Sequence, residues 1–494
     1  MLGILIFLLC VVLLVGGYFV YGKIAEKIYG VQPTMPMPCT YRADGVDYVP
    51  MPTWKIFMIQ LLNIAGLGPV FGALSGCLFG PVALLWIVVG CLLAGAVHDF
   101  YSAVASAEKE GCNLPELVGK HLGKFACYLM RGVCILLMLL VGVVFTKGPA
   151  GMLHSLMEPV SVLWWCVIIM AYYFLATILP INVIIGKIYP LFGVLFLVMA
   201  VGMAVGLVCG PHEVLPHTDF FTNMHPAGLS VWPMLFVTIA CGAISGFHAT
   251  QSPMMVRCLP QARHLRTVFY GAMVVEGIVA LVWAVVGITL RDVVSSYTLV
   301  DGNLVRCTAE QGGVDFLTVI LKSPAIAVSD ASFLLMGGVG AVMAVLGVVV
   351  LPITSGDTAM RCCRLMLANA FGVEQRKIGA RLLFALPIFA LVIIIANLDF
   401  SVIWRFFGWT NQTLSCFTLW TLAVLLRKRG RWHWVVTLPA LFMTMVCICF
   451  LLSSPDCMIE MDSSVSVWIS SGVTLLLLAL FLRTDSQKSG KVQS

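Results

Sequence analysis

The chain has 494 residues, of which 60% are apolar and only 11% charged, with a mean hydropathy of +1.01 and a net charge of +6. A soluble domain carries roughly 45–50% apolar and about 25% charged residues, so a water-soluble fold, a nucleic-acid binder, a secreted disulfide scaffold and a disordered chain are all excluded. What remains is an all-α polytopic protein whose main partner is the lipid bilayer.

Thirteen apolar segments follow one another, each long enough to cross a hydrocarbon core of about 30 Å. In chain order they are Leu2–Tyr21, Trp54–Phe79, Val82–Ser106, Phe125–Lys147, Ser161–Leu179, Ile188–Cys209, Ser230–Thr250, Val268–Leu290, Ser332–Thr354, Ile378–Ala396, Phe400–Leu426, His433–Leu452 and Val465–Leu482. They are too long for barrel strands and lack period-two alternation. The first has no basic residue ahead of it and is followed by Lys23 and Lys27. That is the pattern of a reverse-oriented anchor, not of a cleaved signal.

Of the 29 basic residues, 22 fall in one alternate set of loops and 3 (Arg291, Arg306 and Lys322) in the other, with four inside span ends. Basic loops stay cytoplasmic. The expected placement is a plasma (inner) membrane protein with its N-terminus outside and its C-terminus inside. The longest hydrophilic stretch, Arg291–Asp330, is then an outer loop. Most of the 18 cysteines lie inside apolar runs and no C-x-x-C occurs, so they read as small buried hydrophobes. Cys307 and Cys457 fall in predicted outer loops, and a bridge between them is left open.

Two segments carry sequence that a straight helix resists. The second reads Asn63-Ile-Ala-Gly66-Leu-Gly68-Pro69, and the seventh runs from Gly242 through Ser245, Gly246 and His248 to Pro253. Proline lacks an amide hydrogen, and glycine costs about 1 kcal/mol in a helix interior. Unwound backbone at membrane depth is tolerated where it is buried in protein or lines a wet cavity. Each break lies in the first helix of a set of five, segments 2 to 6 and 7 to 11. Five is odd, so the second set crosses with opposite orientation. This is the trace of a five-plus-five inverted-repeat transporter core. The expected units are 1–53 (anchor helix and inner loop), 54–229 and 230–426 (the two repeats), and 427–494 (two accessory helices and a polar tail). Glycines at spacing four (Gly72, Gly76, Gly80; Gly202, Gly206, Gly210) predict close helix packing.

The polar residues inside the spans are few. Glu276 lies about eight residues inside its span, where a carboxylate is costly and marks either a proton carrier or a buried structural partner. Asp99, after His98, suits an inner gate or proton path, or a helix-end charge paired with a basic loop. His248 at the second break suits substrate, a proton or a satisfied core position. Thr354 and Ser355 could face the unwound carbonyls of segment 2 and hold Na+ as a metal site, or cap a helix end. Asn411 and Gln412 predict either helix-to-helix bonding or substrate contact. No Walker loop, HExxH, GxSxG or clustered metal-ligand motif occurs, which argues against an ATP-driven pump and an enzyme.

Five stretches resemble the carbon starvation protein family of peptide and pyruvate transporters. They are Gly68-Pro69-Val-Phe-Gly72-Ala, Ala94-Gly95-Ala-Val-His98-Asp99-Phe100, Ser245-Gly246-Phe247-His248-Ala249, Glu276 after Gly271-Ala-Met, and Phe407-Gly408 with Asn411-Gln412. The resemblance runs from about residue 54 to about 426 and departs in detail around His98 and Thr354. It implies uptake of pyruvate or small peptides under nutrient limitation, without a cofactor, with H+ or Na+ as the coupling ion. The substrate would then meet Gly66, Gly68, Pro69, Gly242, Ser245, Gly246, His248, Asn411 and Gln412, with Glu276 and Asp99 handling the proton. The competing classes are a channel, a membrane-embedded enzyme and a sensor without flux. Nothing in the sequence sets the oligomeric state.

Overall fold

A computed structural model describes residues 1–157, 159–179, 185–300, 303–307, 312–398, 400–454 and 459–483. Cys457 and the tail after Arg483 lie outside the described residues. A helix, or a pair of helices about a break, stands at each predicted segment. We number them α1 (Leu2–Tyr29), α2 (Thr53–Ile64) with α3 (Gly68–Phe79), α4 (Val82–Ala107), α5 (Lys124–Leu156), α6 (Val162–Ile178) and α7 (Ile185–Cys209). Then come α8 (Val231–Thr238) with α9 (Gly246–Val256), α10 (Gly271–Leu290), α11 (Pro324–Ala370), α12 (Ile378–Ile395), α13 (Phe400–Lys428), α14 (Trp434–Ser453) and α15 (Ser463–Arg483). By length and apolarity alone, nine helices can cross a bilayer among the described residues, or ten with α2 and α3 taken as one span bent by 54°. Of the others, α6 has 17 residues, the predicted seventh span is divided between α8 and α9, and α13, at 29 residues, is long enough but less apolar.

Burial separates core from rim. The most apolar stretch of α10 is 89% buried, against 22% in α1 and α15 and 28% in α7 and α12. The rim helices therefore present leucine, valine and isoleucine to lipid, and α10 with the two broken pairs forms the centre. The predicted glycine stripes lie on contacts. Gly72 packs on the Thr238 carbonyl, Gly202 on Met336 and Gly206 on the Leu335 carbonyl.

Two departures from the expected elements matter. The predicted span Ser332–Thr354 is part of a 47-residue helix, α11, that runs on to Ala370. Thr354 and Ser355 are therefore inside a helix and cap nothing. This helix breaks at Gly337, whose φ of 68° is a left-handed conformation that glycine adopts without a Cβ penalty. Within the loop Arg291–Asp330, β1 (Tyr297–Val300) and β2 (Asn303–Arg306) form an antiparallel hairpin in which Tyr297 faces Arg306.

Candidate functional site

The two breaks meet at the centre of the bundle. Residues 65–67 between α2 and α3, and 239–245 between α8 and α9, leave the helical path. A Cβ on Gly68 would collide with Cys241 of the other break, and one on Gly246 with the backbone of Asn411 and Ser415. Glycine leaves room for the Cys241 side chain at the first position and for direct backbone contact at the second. Wide helical turns of the i→i+5 type flank the site at Gly68–Gly72 and Cys91–Gly95. Such turns recur at functional sites because they rotate the side chains that follow. Here the second one precedes His98 and Asp99.

Around the second break, four side chains from three elements form a continuous polar chain. Asp99 of α4 holds His98 Nδ1 on one carboxylate oxygen and His248 Nδ1 of α9 on the other, each at 2.8 Å. The far nitrogen of His248, Nε2, lies 3.5 Å from Glu276 of α10. All four side chains are fully buried. Asp99 fixes the orientation of both rings, as an acidic partner does for a histidine that works through its other nitrogen. Neither oxygen of Glu276 has a hydrogen-bond partner, nor does His98 Nε2. A buried unpartnered polar atom costs about 1–3 kcal/mol, so these atoms are placed against local stability.

Asp99 thus pairs with two histidines and not with a basic loop. Sequence spacing shows no metal-ligand cluster, yet the fold brings one donor atom from each of Cys241, His248 and Glu276 within 4.8 Å of one another. The donors sit on a break and two different helices, so no motif could announce them.

Asn411 and Gln412 bond across helices. Asn411 Oδ1 accepts from the Phe247 amide at 2.7 Å and the Ser245 hydroxyl at 3.1 Å, and Gln412 Nε2 donates to the Phe236 carbonyl at 2.9 Å. The Phe247 amide near the start of α9 is thus occupied by the Asn411 side chain. Gly66 faces the ring of Phe145, and Gly242 packs on Ala280. Pro69 is buried in the first wide turn.

A second polar cluster joins α2 to α11. Ser355 donates to the Leu62 carbonyl at 2.9 Å, and the Thr354 hydroxyl lies 3.3 Å from the same oxygen. Thr354 also reaches the Leu351 carbonyl of its own helix at 2.9 Å. One turn on, Asp357 accepts from Tyr172 at 2.7 Å and from Tyr189, while Thr358 bonds Asn63 at 2.9 Å. The Thr354 and Ser355 hydroxyls do face the end of the first half-helix. Tyr172, Tyr189, Asn63 and Asp357 were missed as functional candidates. A carboxylate one turn past two hydroxyls in an apolar run was a signal for Asp357. Nothing in the sequence pointed to the tyrosines.

The basic end of the bundle holds a third cluster. Asp47, in the segment before α2, lies 3.2 Å from Arg361 and 3.8 Å from Arg364 of α11. Burial raises its pKa, but Arg361, Arg364 and Arg257 outweigh that and hold its carboxyl below the usual range. Arg257, at the end of α9, donates to the Gly111 carbonyl and to Asn113, each at 2.8 Å. Both half-helix regions are thereby tied to α11 and the loop after α4. Two larger cavities, of about 580 and 730 Å³, contain none of these residues. Trp86, Phe236 and Phe442 line one, and Phe417, Trp420 and Leu477 the other, so they are apolar crevices near the rim.

The model of the carbon starvation protein CstA family matches residues 2–160, 150–314 and 305–449. A membrane protein of Haemophilus influenzae is 42% identical over 342 residues, covering 59% of this chain and 92% of its own length. The peptide transporter CstA of Campylobacter jejuni is 26% identical, covering 86% of this chain and 76% of its own length. The pyruvate/proton symporter BtsT of Escherichia coli is 27% identical over 52% of this chain and 45% of its own length. Among solved structures, Mhp1, a nucleobase-cation-symport-1 family transporter in a closed conformation, superposes with a TM-score of 0.55 at 13% identity, covering 92% of this chain and 96% of its own. The fold is that of an inverted-repeat transporter, and the chain belongs to the carbon starvation protein CstA family.

Proposed function

We propose that this protein is a secondary active transporter that imports small carboxylate nutrients, peptides or pyruvate, and is driven by protons. The observation that carries the reading is the buried chain His98–Asp99–His248–Glu276 beside the two broken helices. Relatives with a proton-symport name and a peptide-transport name support it. The N-terminus outside and C-terminus inside remain our assignment from the loop charges.

In this mechanism the substrate carboxylate takes the place of Asn411 Oδ1 at the Phe247 amide, where the helix dipole of α9 favours negative charge. A proton on Glu276 offsets the added charge in a site with no lysine or arginine. Releasing both ligands restores the Asn411 bond. Rocking of the broken pairs against α11 exposes the site to one side and then the other, and Asp47 with Arg361 and Arg364 latches the inner side. Uptake into proteoliposomes under an imposed pH gradient tests the reading. Saturable, gradient-dependent accumulation with countertransport is expected, whereas unsaturable flux would indicate a channel and binding without flux a sensor.

A second reading, Na+ coupling, is favoured by the Ser355 and Thr354 hydroxyls at the Leu62 carbonyl. Hydroxyls and carbonyls are hard oxygen donors of the kind that bind Na+ at an unwound helix. Replacing Na+ by choline at constant pH gradient separates the two. Unchanged uptake excludes it.

A further inference from the structure

A separate cavity of about 210 Å³ lies where the β1–β2 hairpin rests on the first arm of α11, beside the end of α5 at Leu156. Its lining includes Tyr297, Arg306, Ser329, Asp330 and Phe333. None of these belongs to the sites above. The cavity is smaller than the roughly 300–1,000 Å³ typical of drug-sized ligands, and at about 30 Å³ per water it would hold about seven waters.

Its two charges are opposite and do not meet. Arg306 is held by the hairpin register opposite Tyr297, with its guanidinium 5.3 Å from the centre of the Phe333 ring. Asp330 is 1% exposed. One of its oxygens accepts the Ser296 amide at 3.1 Å, while the other has no partner, and neither does the Ser329 hydroxyl beside it. Arg306 and Asp330 make no ion pair with each other, although both line the cavity. A buried carboxylate normally finds a donor for each oxygen. Here an unfilled acceptor faces a small space that carries a cation elsewhere on its wall and apolar side chains between.

We infer that this cavity is an outer docking subsite for a small zwitterion, an amino acid or short peptide. The ligand's ammonium pairs with Asp330 and Ser329, its carboxylate with Arg306, and its apolar part lies on Phe333 and Leu156. The assignment rests on the reading of the chain as an importer and adds a first stop on the path. Its position suits that task. The hairpin and the arm before Gly337 are the two parts a bridging ligand would draw together, and Gly337 is where α11 can bend.

The test is calorimetric titration of the purified full-length protein in nanodiscs with alanyl-alanine, its N-acetyl derivative and pyruvate. In Asp330→Asn, the carbonyl oxygen still accepts from Ser296, so the loop keeps its anchor. This variant should weaken alanyl-alanine at least tenfold while leaving N-acetyl-alanyl-alanine and pyruvate unchanged. Arg306→Gln should weaken both peptides. Ser329→Ala, which removes no bond within the protein, gives an independent smaller loss for alanyl-alanine alone. Wild-type affinity in Asp330→Asn, or an equal loss for the acetylated peptide, overturns the subsite. Saturable pyruvate uptake by the same protein reconstituted in proteoliposomes would show that the importer reading survives that failure. Absence of uptake for every probe would sink the importer reading itself.

Discussion

Replacing Glu276 by glutamine separates a proton carrier from a structural carboxylate, because the two roles predict opposite balances of stability and activity. Neither Glu276 oxygen has a hydrogen-bond partner, and the side chain is fully buried. Glutamine removes a chargeable group and breaks no bond. The expected stability change is within about 1 kcal/mol, or a gain, since its one charged contact, His248 Nε2 at 3.5 Å, is long and a buried charge is costly. Asp99→Asn is the reference. Asp99 holds two histidines at 2.8 Å, and charge-assisted bonds contribute roughly 1.5–3 kcal/mol each. Asparagine keeps one acceptor, so a loss of about 3 kcal/mol is expected. In proteoliposomes, Glu276→Gln should lose the stimulation by an inward pH gradient at least tenfold, while exchange of labelled for unlabelled substrate at equal pH persists. Melting curves of both variants are measured on the same samples. Full gradient stimulation in Glu276→Gln, or melting as depressed as that of Asp99→Asn, would refute the reasoning.

Gly246→Ala places a methyl group against the backbone of Asn411 and Ser415, which cannot rotate aside. A loss of about 1–3 kcal/mol with little uptake should be seen by melting and transport, while Gly132→Ala, with open space at its Cβ, should leave both intact. Asp47→Asn leaves Arg361 and Arg364 without their carboxylate, so maleimide labelling of Cys258, a buried cysteine whose Sγ lies 3.8 Å from the Asp47 carbonyl oxygen, should rise several-fold from the basic side. Because the folded pKa of Asp47 is lowered, its contribution is present above the ordinary value of 3.8 and is lost only as pH falls through the depressed one. The ratio of Cys258 labelling in Asp47→Asn to that in the wild type, taken at each pH so that thiolate formation cancels, should therefore be flat between pH 5 and 8, and a step there would contradict the latch. Thr354→Ala with Ser355→Ala should abolish any stimulation of uptake by Na+ and leave the response to a pH gradient, as read by flux in choline and sodium buffers.

Much of the architecture was legible because a bilayer penalises charge so strongly. Lysine and arginine could stand almost only in loops, so their alternation marked the spans. Proline and glycine inside apolar runs marked both breaks. Histidine, aspartate and glutamate within spans marked the chain from His98 to Glu276, though not its order. The sequence could not reveal that Asp99 would bridge two rings, since that depends on the crossing of α4 and α9. Nor could it reveal Tyr172 and Tyr189. Tyrosine is ordinary in an apolar helix, and its hydroxyl becomes informative only when the fold aims it at Asp357. The helix that carries the ninth span runs past the predicted span end, where Asp357, Arg361 and Arg364 look like a membrane exit. In the fold they are buried and paired, so the helix continues. Cys241 was grouped with the inert cysteines because its neighbours are apolar in sequence, while its spatial neighbours are His248 and Glu276.

The length of α11 has a consequence beyond packing. From Gly338 to Ala370 it has 33 residues, which at 1.5 Å each is about 50 Å, against a hydrocarbon core of about 30 Å. One rod therefore spans the lipid and overshoots it by about 20 Å. Along it lie the hydroxyls that meet α2 and the arginines that meet Asp47, and beyond its glycine joint lies Asp330. A rod of this kind acts as a lever, since a tilt too small to break any single contact moves its far end most. Ligands at opposite ends would then alter each other's affinity by equal factors.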